Sequence, residues 1–123
     1  MSGGVVLRRE ISPDGLTFLV ERCGPTIIMK FEGAGWHLHP ELLPRFDGDP
    51  ERTAMSVVDD LVANRILMLR ETDVEGPYWS LLADIALEQS LLGPNETLNI
   101  RTWHGERVEA EDLTSGKRDY CPL

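Results

Sequence analysis

The chain is short of cysteine, of long apolar runs, of the usual catalytic motifs and, over one long stretch, of any cation. Cys23 and Cys121 are its two cysteines and lie 98 positions apart. Without Cys-x-x-Cys spacing they make neither a zinc knuckle nor a redox dithiol, and read instead as one half-buried thiol and one in a loose tail. No apolar run reaches the roughly 18 residues of a membrane span, and Met1-Ser2-Gly3-Gly4 carries no basic region leading into an apolar core. A soluble, cytoplasmic chain is expected.

Catalytic signatures are missing too. There is no Gly-x-Ser-x-Gly elbow, no phosphate-cradling glycine loop with lysine and no His-Glu-x-x-His, and Gly33 and Gly35 do not open a helix as a dinucleotide site requires. These absences favour a non-enzymatic protein.

What is present is acid. The formal net charge is −9, and its excess has a location. Glu71, Asp73, Glu75, Asp84, Glu88 and Glu96 fall in a stretch without a single Lys or Arg. Such a surface repels phosphate backbones and attracts basic proteins, so a basic partner is expected and nucleic acid is not.

With 123 residues, 41% of them hydrophobic, the chain suffices for one domain that buries about two-thirds of its unfolded surface without staples. A single domain over 1–113 is expected, with a flexible tail over 114–123, where no apolar periodicity remains. The first third reads as a three-stranded meander. Val5 to Ile11 and Leu16 to Glu21 flank the turn Ser12-Pro13-Asp14-Gly15, and Thr26 to Glu32 alternates so that Ile27, Met29 and Phe31 share a face. Asp49-Pro50-Glu51 announces a helix whose stripe is Ala54, Val57, Val58, Leu61 and Val62, with Asp59 and Asp60 outward.

Later elements are less distinct. Ile66-Leu67-Met68-Leu69 fits a helix extension or a buried strand, with the strand favoured. Residues 78–92 fit either a second helix near residue 80 or a strand reached through a turn at Asp73-Val74-Glu75-Gly76. Thr97 to Trp103 alternates as a last strand, with Trp103 on the polar face beside Arg101, and His104-Gly105 turns into a returning strand. The fold class expected is α+β: an antiparallel sheet, meander plus C-terminal hairpin, against one or two helices.

Candidate binding residues follow from chemistry. Trp36, His37, His39 and Glu41 crowd one segment, and in an extended chain His37 and His39 point the same way, close enough to share a divalent transition metal. His104 is a candidate third ligand. The segment departs from the cupin metal motif, because Glu41 follows Pro40 directly and no second Gly-Pro-His follows. Trp79, Arg101 and Trp103 are of the types that anchor interfaces. The function expected is a small acidic binding module that neutralises or regulates a basic protein, in an immunity-protein-like role. The alternative is a metal-dependent enzyme or metal-binding protein built on the His37/His39 loop.

Overall fold

The computed structural model describes residues 4–73 and 76–123. Among the described residues eight strands form two antiparallel sheets, accompanied by three α-helices, so the fold class is α+β. The first sheet is the meander β1 (Val5–Ile11), β2 (Thr17–Cys23), β3 (Thr26–Phe31) and the short β4 (His37–Leu38), in that spatial order. Its turns obey local chemistry. The Ser12 hydroxyl accepts from the Leu16 amide at 2.9 Å, and Gly24 takes φ +63° ahead of Pro25 to close the two-residue hairpin between Cys23 and Thr26.

Helix α1 (Pro50–Val62) follows, capped by the Asp49 carboxylate, which accepts from the Arg52 amide at 3.1 Å. Its stripe of Ala54, Val57, Val58 and Leu61 is buried, whereas Val62 is only half-buried. The helix ends in a Schellman motif. Asn64 adopts φ +64°, its amide donates to Leu61 O at 3.1 Å, and the Arg65 amide donates to Asp60 O at 2.8 Å.

The second sheet has the order β6-β5-β7-β8: β5 (Met68–Asp73), β6 (Gly76–Leu81), β7 (Ile100–Arg101) and β8 (Arg107–Val108). Helices α2 (Ile85–Ser90) and α3 (Ala110–Thr114) accompany it. β5 and β6 pair from Met68↔Leu81 to Asp73↔Gly76, which makes a hairpin, although Val74 and Glu75 of the expected turn lie outside the described residues. The strand reading of the Ile66–Leu69 region therefore holds from Met68 onward, and residue 80 sits in a strand, with the helix beginning at Ile85.

The run Ile66-Leu67-Met68-Leu69 is apolar throughout because this end of the sheet is covered on both faces. Ile66 and Met68 join Phe18, Met29, Leu61 and Trp103 in the core between the sheets and α1. Leu67 and Leu69 face the other way, into a smaller core with Leu82, Ile85, Ile100, Val108 and Leu113. Alternation of polarity needs one wet face, and here there is none.

Three expectations are corrected. Trp103 is 3% exposed and belongs to the main core. β7 ends at Arg101, and the Thr102 hydroxyl accepts the Glu106 amide at 3.0 Å, so the chain turns and alternation no longer governs where Trp103 points. Residues 114–123, expected as a flexible tail, are folded back onto the domain. The Cys121 amide donates to Arg65 O at 2.7 Å, the Tyr120 hydroxyl accepts the Ile85 amide at 3.1 Å, and Leu123 is buried in the main core. Isolated anchors, with no periodic stripe, do this work. The thiols are also reversed: Cys23 is exposed and Cys121 half-buried.

Candidate binding surface

Acids are distributed unevenly between paired and unpaired. Every acid from Glu10 to Asp60 except Glu41 has a cationic partner, among them Glu21 with Lys30, Glu51 with Arg22, and Asp60 with both Arg45 and Arg65. Among the described residues, Glu71, Asp84, Glu88 and Glu96 have no such partner.

Three of these four acids line one groove of about 290 Å³ between β5, α2 and the segment 96–98. Glu71 enters from the strand, Glu88 from the helix and Glu96 from the approach to β7, while Leu92 and Leu98 supply apolar wall. Local chemistry holds the walls in position. Asp84 caps α2, accepting from the Ala86 and Leu87 amides at 2.9 and 3.3 Å, and Glu96 Oε1 accepts from the Gly93 amide at 2.6 Å. Burial pushes the Glu88 carboxyl above its ordinary range, and the Glu71 and Asp84 carboxylates push it further. Leu87 and Leu91, 55% and 70% exposed, stand on and just beyond α2.

The Trp79 ring carries two guanidinium groups, those of Arg70 and Arg101, each 5.2 Å from its centroid. Arg101 also grips Asp14 with two hydrogen bonds of 2.5 and 2.9 Å, tying the second sheet to the β1–β2 turn. That grip, helped by the Ser12 hydroxyl, holds the Asp14 carboxyl well below the usual carboxylate range. Arg101 is thus committed within the fold. Arg70 stands at the rim of the acidic groove and also lines a second cleft, of about 240 Å³, between Trp79, Tyr78 and Gly33-Ala34. The start of the Trp36 segment and the Trp79 strand therefore meet across one cleft. Trp36 itself is half-buried, its ring 6.0 Å from that of Phe31.

His37 and His39 lie side by side with ring centroids 5.0 Å apart, and Glu41 is exposed beyond them. His104 is not with them. It sits in the β7–β8 turn, where its Nδ1 lies 2.8 Å from the Asn64 carbonyl oxygen and its amide donates to the same atom at 3.3 Å. Among the described residues, no three His, Cys, Asp or Glu side chains are grouped to hold one metal ion. The expected three-histidine site is thereby corrected: His104 is held at the end of α1 by the residue that closes that helix.

The groove acids and Leu87, Leu91 and Leu92 were absent from the sequence-derived site residues, although the missing Lys and Arg between Glu71 and Glu96 marked the region. A further cleft, of about 340 Å³, lies where Tyr120, Cys121 and Pro122 meet Asn64 and Arg65. Nothing in the sequence marks it, because its walls come from opposite ends of the fold.

Among the described residues no helix is long and apolar enough to cross a membrane. Compared with protein families, curated proteins and solved structures, the chain matches none.

Proposed function

We propose that this is a non-enzymatic binding module that takes a basic segment of a partner protein into the groove between β5 and α2. One observation carries the reading: three acids without cations, Glu71, Glu88 and Glu96, converge on a single groove whose apolar wall is Leu92 and Leu98, while most acids elsewhere are neutralised. A cationic segment entering it would replace the absent counter-charges of Glu71, Glu88 and Glu96. Leu87 and Leu91 would supply the apolar contact that like-charged surfaces cannot. Long-range attraction accelerates encounter and is screened over about 8 Å at physiological ionic strength. Neutralising or regulating the partner follows if the segment covered is one the partner needs.

Calorimetric titration with a Lys/Arg-rich peptide that also carries leucines tests the reading. Reversing Glu71, Glu88 and Glu96 to Lys is expected to weaken binding at least about tenfold and to flatten its salt dependence. Glu41→Lys with Glu51→Lys, which reverses charge on the 3-10 turn and on α1, away from the groove's lining, is expected to change affinity much less. Equal losses in both variants would show that net charge alone attracts the peptide and would overturn the groove.

A further inference from the structure

We propose that His37 and His39 form one half of a divalent transition-metal site that the same two residues of a second copy complete. The strand geometry comes first. His37 lies in β4, and His39 continues the extended backbone with φ −103° and ψ 122°, so the two side chains leave the chain on one side. Pro40 then starts a short 3-10 turn and fixes where the extended segment stops.

The ring spacing suits chelation. A first-row ion sits about 2.0–2.1 Å from an imidazole nitrogen, which puts it about 3.2 Å from the ring centre, and two rings meeting at a tetrahedral angle then have centres roughly 5 Å apart. The observed separation is 5.0 Å, with the planes at 80°. Rotation about the terminal side-chain bond, which is soft for histidine, can bring one nitrogen of each ring to a common point. Among the described residues neither imidazole makes a hydrogen bond or an ion pair. Lys30, directly across from His37, is held by Glu21 at 2.8 Å, so its charge is answered locally.

The site is incomplete within one chain. Two nitrogens leave half of a tetrahedral shell open, and no third ligand is grouped with them among the described residues. The missing half can approach, because β4 is the outer strand of its sheet and Leu42, 78% exposed, stands just beyond it as uncovered apolar surface. A net charge of −9 on each copy opposes association without a cation, so the pairing depends on the metal. This inference is independent of the acidic groove.

Sedimentation velocity on chelator-treated protein, with and without Zn(II), decides it, alongside elemental analysis of the separated species. The expected result is a monomer without metal and, with Zn(II), a dimer containing one zinc per two chains that a chelator dissolves. His37→Ala and His39→Ala should each abolish the dimer, as should His37→Gln, which keeps the side-chain bulk. His104→Ala should leave it unchanged. Circular dichroism checks that each variant is folded. A protein that stays monomeric with Zn(II), a monomer that binds one zinc by itself, or a dimer indifferent to the His37 and His39 variants overturns the proposal.

Discussion

The two sheets solve the problem of burial differently. Three of the first sheet's four strands run six or seven residues, and its charges are matched: Arg8 with Asp59, Arg22 with Glu51, Lys30 with Glu21. The second is covered on both faces around Met68 and Leu69, has two strands of only two residues, and leaves Glu71, Asp84, Glu88 and Glu96 without cations, although Glu106 and Glu109 pair with Arg118 and Arg107. Order in the second sheet rests on apolar packing, which frees its rim charges for an outside partner. In the first sheet the same kinds of charge are spent within the molecule.

The sharpest test of this contrast is whether the two regions melt together. Ile66, Met68, Leu81 and Trp103 of the second region share the core of the first, so a single unfolding transition is expected. Leu61→Ala in the main core and Leu82→Ala in the smaller one should each cost about 2 to 5 kcal/mol and shift that transition as a whole. If calorimetry resolves two transitions, with each variant moving only one, the regions are independent and the comparison is between two separate units.

A smaller effect is expected at Asp60. Its carboxylate pairs with Arg45 and Arg65, and the Asp60 and Arg45 side chains are each only 18% exposed. Asp60→Ala should cost about 1 to 3 kcal/mol, because it leaves a largely buried guanidinium without its partner. Burial works against the charged form, but hydrogen bonds from Arg45 and Arg65 outweigh it and hold the carboxyl below its ordinary 3.8. The contribution is therefore complete above that value and is lost as pH falls through the depressed one. Denaturant titrations near neutrality and in acid check this, and a variant as stable as the parent at neutral pH would remove Asp60 from the set of matched charges.

At Asn64 the cost should be about 1 to 2 kcal/mol for Ala, which resists positive φ and cannot accept from His104. Asn64→Gly keeps the conformation and loses only the side-chain link. A melting temperature lower for Ala than for Gly is the expected order.

The smallest effect has the opposite sign. Glu88 is raised above its ordinary 4.5, by burial first and then by Glu71 and Asp84, so stability falls as pH rises from that value through the folded one. Glu88→Gln should therefore stabilise the chain at neutral pH, by less than about 1 kcal/mol given its solvent contact, and make no difference in acid. A destabilising Glu88→Gln would mean that this carboxylate has a stabilising contact and is not held ready for a partner's cation.

Much of the first region was legible in the chain itself. Turn residues, alternation in Thr26 to Phe31 and the Asp49-Pro50 start of α1 are local signals, and each element follows them. The acidic stretch was legible too, since a missing cation is a property of composition. Asp60 was not: it falls on the polar side of the helical pattern, yet Arg45 and Arg65 close over it from outside the helix. Nor was Trp103, whose direction depends on a turn built by the Thr102 hydroxyl, nor the packing of residues 114–123, which reach Arg65 and Ile85 across the fold. His37 and His39 were paired by strand periodicity alone, while their separation from His104 depended on Asn64 closing α1 beside the β7–β8 turn. Local sequence determines backbone preference and charge over a few residues. Which distant side chains then share a core, a groove or an ion pair is decided only when the two sheets pack, because that energy belongs to contacts between segments and to none of them singly.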